Sequence, residues 1–312
     1  MQAQSKSIRL VTDTDPGVDD AMTLALAAVS PEVDLRAVTT VAGNVALPLT
    51  TANALALLHA VGRDDVPVAA GAHRGLVRVK PRHTDVHGAN GLGGVTLPAP
   101  IRRPCGHHAV SELARVLREP GAPPLTIIAI GPLTNLALLL GVHPELAGRV
   151  ERIVLMGGST GPGNVTPSAE YNTWADPEAA ARVFDSGIPI WLAQLQATRH
   201  ATLDAATRRA IATGSPIGSL LIEMMDGYDE GIGVVPAVHD VVTLAIVLDP
   251  SLAVFRPATV EVVMDSGPRR GATVIDFDAA PDGAPTVEVV VHIDVERLRT
   301  LLATRFAAAG GA

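Results

Sequence analysis

The chain has 312 residues, of which 47% are hydrophobic and 18% charged, a balance that predicts a folded globule with a large core and excludes a disordered protein. Its formal net charge of −8 argues against nucleic acid and against an anionic membrane surface as partners, and leaves neutral or cationic small molecules open. Cys105 is the only cysteine, so no intrachain disulfide is possible; with a polar start (Met1 to Ser7) and no apolar run long enough to span a bilayer, a cytoplasmic location is expected.

In chain order, the first two-thirds alternates short β-rich runs with helical patterns. Strands are predicted at 8–13, 34–41, 66–70, 125–130, 152–156 and 188–195, and helices at 19–29, 46–61, 106–118, 133–140 and 176–185. Asp176-Pro177-Glu178 opens the last of these helices with a capping residue, a proline at the first helical position and an acid in the first turn. Leu125-Thr126-Ile127-Ile128-Ala129-Ile130 is apolar almost throughout, as a strand covered on both faces must be. Aromatics are only 3%, so Ala, Val, Leu and Ile have to fill the core. The alternation implies crossover units, hence an α/β, Rossmann-like, mainly parallel sheet flanked by helices. The pattern then changes. Residues 203–232 read as helices, with another near 238–248. Three strand-like runs with hairpin spacing follow at 258–265, 271–278 and 286–293, with Pro268-Arg269-Arg270-Gly271 as a turn between the first two and a closing helix over 294–308. Neither a repeat nor a long linker divides the chain, so one domain over 1–312 is expected. Two long loops, 71–104 and 157–175, follow strand ends, where parallel sheets carry function.

The most informative stretch is Asp13-Thr14-Asp15-Pro16-Gly17-Val18-Asp19-Asp20, four carboxylates in eight residues directly after a predicted strand. Like charges this close repel unless something positive sits among them. A hard divalent cation, which prefers oxygen ligands, fills that need. Asp13 and Asp15, two apart on a strand, face the same way. Pro16-Gly17 turns the chain, and Asp19 and Asp20 fall in the first turn of the next helix, where the dipole favours negative charge. The acids therefore converge at the end of the strand, where open α/β sheets bind ligands. Ca²⁺ takes about six to eight oxygens, which carboxylates, backbone carbonyls and water can supply. EF-hand spacing and zinc-type His/Cys spacing are absent. A helix-capping acidic turn without an ion accounts for two acids, but not for four.

More distant residues are ordinary one by one. His239-Asp240 reads as a surface histidine beside a capping aspartate at the start of an apolar helix. Asn164 and Glu170-Tyr171-Asn172 read as turn formers in the loop after Met156-Gly157-Gly158. Asn44 follows a strand and His87-Gly88 lies in the other long loop. Their significance lies in following the strand ends of one sheet, where they could meet.

Together these residues resemble the nucleoside hydrolase family, ribohydrolases that split inosine, uridine and related nucleosides. The resemblance is carried first by Asp13-Thr14-Asp15-Pro16-Gly17-Val18-Asp19-Asp20-Ala21. It continues in family order over about 8–250 with Thr39-Thr40-Val41-Ala42-Gly43-Asn44, His87-Gly88, Ile130-Gly131-Pro132-Leu133-Thr134-Asn135, Leu155-Met156-Gly157-Gly158, Ala169-Glu170-Tyr171-Asn172, Ala175-Asp176-Pro177-Glu178-Ala179-Ala180 and His239-Asp240. It implies that Asp15, Asp20 and Asp240 ligate Ca²⁺, with Ile130 adding its backbone carbonyl. It implies that Asp19, Asn44, Asn164, Glu170 and Asn172 grip the ribose, that Met156 lines the sugar pocket, and that Asp13 orients its neighbours. Asp15 is the implied general base and His239 the candidate acid for the leaving base, with His87 assisting or lining the pocket. Water is expected to attack directly, with inversion, because no second carboxylate is set up as a nucleophile. The resemblance also implies a homodimer or homotetramer. In the family a histidine at the position of His239 accompanies use of inosine and uridine or a pyrimidine preference. Tyr228, on the helical stretch 216–232, could cover the base, while Trp174 packs under its loop. With so few aromatics, broad or pyrimidine-leaning specificity is expected. Two other readings compete: a phosphohydrolase of the haloacid dehalogenase type, which the Pro-Gly-x-Asp-Asp continuation does not fit, and a Ca²⁺-dependent nucleoside-binding protein without turnover.

Overall fold

The computed structural model describes residues 7–78, 85–232, 235–278 and 287–309. Its strands are β1 (Ile8–Thr14), β2 (Val33–Thr40), β3 (Val68–Ala70), β4 (Leu125–Ala129), β5 (Val150–Met156), β6 (Ile190–Ala193), β7 (Ala253–Val262), β8 (Thr273–Asp276) and β9 (Val287–Ile293). The α-helices are α1 (Val18–Val29), α2 (Leu47–Ala60), α3 (Ala109–Leu117), α4 (Thr134–Val142), α5 (Tyr171–Ala175), α6 (Pro177–Phe184), α7 (Leu195–Thr198), α8 (Ala205–Gly214), α9 (Pro216–Ile232), α10 (Val241–Leu248) and α11 (Val295–Ala308). The nine strands form one sheet in the order β3-β2-β1-β4-β5-β6-β9-β7-β8. Pairing is parallel from β3 through β6 to β9, and β7 runs antiparallel to both β9 and β8. This is the mainly parallel α/β architecture expected from the alternating pattern.

Successive strand residues point to opposite faces, and the core divides accordingly. Leu10, Ile128 and Val154 join one apolar cluster with residues of α1, α2, α9, α10 and α11. Val11, Ile127, Ile153 and Leu155 join the other, with residues of α3, α4 and α6. Both faces of the central strands are thus covered, which is why β4 is apolar almost throughout.

The strand order reverses between β1 and β4: β1 leads outward to β2 and β3, while β4 begins the run to β6. Such a reversal opens a crevice outside the carboxyl ends of the strands. The acidic motif leaves β1 at that point, and Ile130-Gly131 leaves β4 beside it. The Ile130 amide donates to the Asp13 carbonyl at 2.9 Å.

Several boundaries differ from those expected. The strand placed at 188–195 stops at Ala193, because the Gln194 side chain turns back to accept from the Gln196 amide and caps α7. The end of the long loop 157–175 folds as α5, capped by Glu170. The stretch 203–232 divides at Ser215 into α8 and α9, the second beginning on Pro216. β7 begins at Ala253 rather than 258; Pro257, which lacks an amide donor, hides its first half. The three C-terminal runs do not pair consecutively. β7 and β8 form the expected hairpin, closed by Gly271 at φ +79°, but β9 inserts between β6 and β7. Val287, Val289, Val290 and Ile293 of β9 are all buried, which suits an interior strand and not a hairpin edge. Residues 1–6 of the polar start, 79–84 of the loop 71–104 and residue 286 of the third run lie outside the described residues.

One buried amide fastens the ends of three strands. Asn135 Nδ2 donates to Asp13 Oδ1 at 2.8 Å and to the Thr40 carbonyl at 3.0 Å, while its Oδ1 accepts from the Ala72 amide at 2.9 Å. Each group left unpaired by its loss costs about 1–3 kcal/mol. Asn135→Ala is therefore expected to lower the unfolding free energy by roughly 2–4 kcal/mol in urea titration. A loss under about 0.5 kcal/mol, the scale of an ordinary surface substitution, would refute this role for the amide.

Candidate active site

The site is built on the turn between β1 and α1. Gly17 caps α1, and its amide donates to Asp20 Oδ2 at 2.9 Å, so Asp20 reaches back from the third helical position as one half of a capping box. Asp20 Oδ1 accepts from Thr14 Oγ1 at 2.6 Å and from the Asp15 amide at 3.3 Å. Asn44, just beyond β2, ties the two acids together. Its amide donates to Asp15 Oδ2 at 2.5 Å, and its Nδ2 donates to the Asp15 carbonyl at 3.2 Å and to Asp20 Oδ2 at 3.1 Å. The Asp15 carboxylate lies between two glycines that leave no room for a side chain. A Cβ on Gly43 would fall 1.4 Å from its Oδ2, and one on Gly131 would fall 2.6 Å from its Oδ1. Asp15 thereby bridges the chain leaving β2 and the chain leaving β4.

Asp240 arrives from far along the sequence, at the start of α10. One carboxylate oxygen each of Asp19, Asp20 and Asp240 lies within 4.8 Å of the others, and all three residues are buried. Asp13 stands apart from this triad, engaged by Thr39 Oγ1 at 2.6 Å and by Asn135, and burial pushes its carboxyl up to about 7. Burial also raises the pKa of Asp19, Asp20 and Asp240. Asp240 is raised furthest of the three, first by desolvation and then by the charges of Asp19, Asp20 and Asp15. Like charges crowded out of water in this way fit a divalent cation, which would restore their ionised form. The donors are all oxygen, and the hard ions Ca²⁺ and Mg²⁺ suit that set.

Above the acids opens a cavity of roughly 350 Å³. Its lining includes Asp19, Asn44, His87, Ile130, Met156, Asn164, Glu170, Asn172, Tyr228, His239 and Asp240, eleven of the positions singled out from sequence. Asp15 and Asp20 are fully buried beneath it. Some of the lining groups are already committed to neighbours. The Glu170 carboxylate accepts from the amides of Gly158, Asn172 and Thr173, between 2.8 and 3.1 Å. Asn172 Nδ2 donates to the Ile130 carbonyl at 3.0 Å and to the Met156 carbonyl at 3.2 Å. Asn164 Oδ1 accepts from the Tyr171 amide at 2.9 Å.

The rest of the lining includes imidazole and phenol. His87 accepts from the Val18 amide at Nδ1, 3.2 Å away, and stacks on Tyr228 with centroids 5.0 Å apart and planes inclined by 10°. Burial lowers the His87 pKa, against the pull of Asp20. His239 Nδ1 lies 2.8 Å from Thr198 Oγ1; burial lowers its pKa and the Asp19 charge pulls it back up. Trp174 packs against Tyr171, with centroids 6.3 Å apart, and does not line the cavity.

Sequence reasoning missed Tyr171, Val86, Val165, Leu195 and Arg199 as lining residues. Tyr171 sits inside the motif Glu170-Tyr171-Asn172, and its hydroxyl donates to the Gly43 carbonyl at 2.8 Å. Leu195 and Arg199 follow the carboxyl end of β6, a position on the ligand side of the sheet that could have drawn attention.

A sequence model of the family described as inosine-uridine preferring nucleoside hydrolase matches residues 10–300. The pyrimidine-specific ribonucleoside hydrolase RihA of Citrobacter koseri is 42% identical over 308 residues, covering 96% of this chain and 98% of that protein. RihA of Shigella boydii is 41% identical over 306 residues, with the same coverage. Among solved structures, the plant nucleoside hydrolase PpNRh1 superposes with a TM-score of 0.88 at 35% identity, covering 96% of this chain and 99% of that one. A purine-preferring ribonucleoside hydrolase from Gardnerella vaginalis superposes with a TM-score of 0.89 at 30% identity, covering 96% and 98%. With a family model, relatives at 42% and 41% identity and solved structures of the same fold all spanning nearly its whole length, the chain belongs to the inosine-uridine preferring nucleoside hydrolase family, enzymes that hydrolyse N-glycosidic bonds.

Proposed function

We propose that this chain, working as one domain over 1–312, is a Ca²⁺-dependent ribonucleoside hydrolase that favours pyrimidine nucleosides and releases ribose and free base. The observation that carries the reading is the buried triad Asp19, Asp20 and Asp240 at a cavity that is also lined by His87, Tyr228 and His239. The carboxylates suit a cation and a polyol, and the rings a flat heterocycle. The pyrimidine preference rests on the 42% identity to RihA and on a cavity whose lining, among the described residues, holds two imidazoles and two phenols but no tryptophan or phenylalanine. Assembly as a homodimer or homotetramer, and a cytoplasmic location, belong to the same proposal.

Asp20 and Asp240 of the triad, with Asp15 and the Ile130 carbonyl, would hold the ion. Bound there, it would supply a water of lowered pKa. The residues of the chain do the rest. Asp19, Asn44, Asn164, Glu170 and Asn172 bind the ribose hydroxyls and present the anomeric carbon, so attack becomes effectively unimolecular. Met156 packs on the sugar. The bonds that already engage Glu170 and Asn172 fix those side chains before substrate enters, which lowers the cost of ordering them. As the glycosidic bond lengthens, positive charge grows on the ribosyl ring. The surrounding carboxylates stabilise that charge more than the neutral ground state, which is the condition for catalysis. The Asp15 carboxylate takes the proton of the attacking water. His239 gives a proton or a hydrogen bond to the departing base; burial lowers its pKa, and the charge of Asp19 offsets only part of that. His87 and Tyr228 hold the base plane. Attack by water on the face opposite the departing base would give inversion.

A reducing-sugar assay over uridine, cytidine, inosine and adenosine is expected to give the highest kcat/KM with the pyrimidines, to fall to background with chelator and to return with Ca²⁺. Equal rates on all four would refute the preference, and full activity in chelator would refute the ion.

The close approach at Gly43 gives a sharper test. Gly43→Ala must displace the Asp15 carboxylate, and a shift of about 1 Å costs on the order of 10²-fold in rate. Gly148→Ala, with nothing within 4 Å of the added carbon, serves as the control and should retain full rate. Wild-type rate in a folded Gly43→Ala variant would break the link between this packing and catalysis.

His239→Ala is expected to reduce uridine turnover by roughly 10²–10⁴-fold, the usual worth of a positioned acid, and nitrophenyl riboside turnover by less than about tenfold. Equal losses on the two substrates would remove His239 from the leaving-group step.

A further inference from the structure

A second group of ligand-type side chains lies away from the cavity. Cys105, His107 and Glu112 bring a thiol, an imidazole and a carboxylate together, with one ligand atom of each within 4.8 Å of the other two. The Cys105 amide donates to the carbonyl of Val68, the first residue of β3, at 2.7 Å. The group therefore sits toward the amino end of the outermost parallel strand, whereas the cavity lies outside the carboxyl ends. We propose that Cys105, His107 and Glu112 form a binding site for one borderline divalent ion of the Zn²⁺ type, with solvent completing four-coordination.

The donor set selects the ion. Thiolate and imidazole are poor ligands for Ca²⁺ and good ones for Zn²⁺, and three protein ligands with one open position is a recurrent zinc geometry. The chain would thus sort two kinds of ion, a hard one to the all-oxygen aspartates and a borderline one to this site. The ligands are also held in place beforehand. Cys105 is fastened to the sheet edge through its amide. His108 caps α3 by accepting from the Val110 amide, which fixes the backbone next to His107. Glu112, in the first turn of α3, has only 1% of its side chain exposed. Arg115 grips its carboxylate from one side, Nη2 to Oε1 at 2.7 Å and Nε to Oε2 at 3.1 Å, and so orients it. His107 Nε2 meets Oε2 at 2.7 Å on the other side. That arrangement is a carboxylate steadied by a partner outside the ligand set, as supporting partners steady metal ligands generally.

Arg115 and His107 already satisfy Glu112, so the ion pair itself makes no use of a thiol. Burial and then the Glu112 charge raise the pKa of the Cys105 thiol. On ion binding the S–H bond breaks, a sulfur–metal bond forms and the proton passes to solvent. Cys105 is partly exposed and His107 is 44% exposed, so both ion and proton have a path. Binding would fasten the chain ahead of α3 to that helix and leave the catalytic floor untouched.

Co²⁺ is the probe, added to the full chain saturated with Ca²⁺ under a phosphine reductant. One Co²⁺ per chain is expected to produce a near-ultraviolet thiolate-to-cobalt band and the intense visible bands of a tetrahedral site, and one equivalent of Zn²⁺ should abolish both. Cys105→Ser should remove the thiolate band. His107→Ala should weaken Co²⁺ binding by at least the roughly 10–100-fold that loss of a supporting partner alone costs. Asp20→Asn, which alters the aspartate cluster, should leave the bands in place. The proposal is overturned by absence of the thiolate band in the wild-type chain, by its survival in Cys105→Ser, or by its loss in Asp20→Asn.

Discussion

Repulsion among buried carboxylates is the constraint on which the rest of the structure depends. Asp19, Asp20 and Asp240 share one small region, the charge of Asp15 acts on Asp240 as well, and removal from water raises the cost of every negative charge. A fold built only for stability would not gather these groups at the reversal of its sheet. The surrounding structure shows the compensation. Thr14, Gly17 and the Asp15 amide donate to Asp20, Asn44 donates to both Asp15 and Asp20, and the first turn of α1 faces the cluster with its positive end. These dipoles offset part of the charge. An ion in the middle would offset the remainder.

Holding that balance requires chain segments remote in sequence. Asp240 comes from the start of α10, more than two hundred residues after the motif, and α10 packs directly on α1. Glycine appears where the acids need space: Gly43 and Gly131 have no atom to spare beside Asp15. The network continues behind the site through Asn135, which links Asp13 to the ends of β2 and β3. Floor and scaffold are therefore one hydrogen-bonded unit.

Much of this was legible in the sequence, for identifiable reasons. Strands covered on both faces announce themselves by continuous apolar runs, so β1 to β6 were all anticipated, some with shifted ends. Four acids in eight residues are visible because charge density needs no alignment to detect. What was not legible depended on partners. β9 carries the same alternating valines whether it ends a hairpin or fills the sheet, and only the vacant edge of β6 decides between them. Glu170 and Asn172 read as turn formers, but nothing in their spacing says that one caps α5 and the other reaches the carbonyls of Ile130 and Met156. Arg199 and Leu195 carry no motif, and enter the cavity only because β6 ends beside it.

The cavity brings two kinds of group together. Carboxylates line it, and so do the stacked rings of His87 and Tyr228 and the imidazole of His239, whose pKa burial lowers against the charge of Asp19. In the proposed reaction the substrate is neutral in its ground state and becomes cationic at its ribosyl end, beside the carboxylates. A phosphorylated sugar would meet repulsion there, and a base without a ribosyl group would leave the carboxylates unused. In the proposed reaction the same burial that makes the acids costly to assemble gives them their effect: in a site shielded from water, each fixed charge acts on the developing cation with little screening, and little reorganisation is needed at the moment the bond breaks.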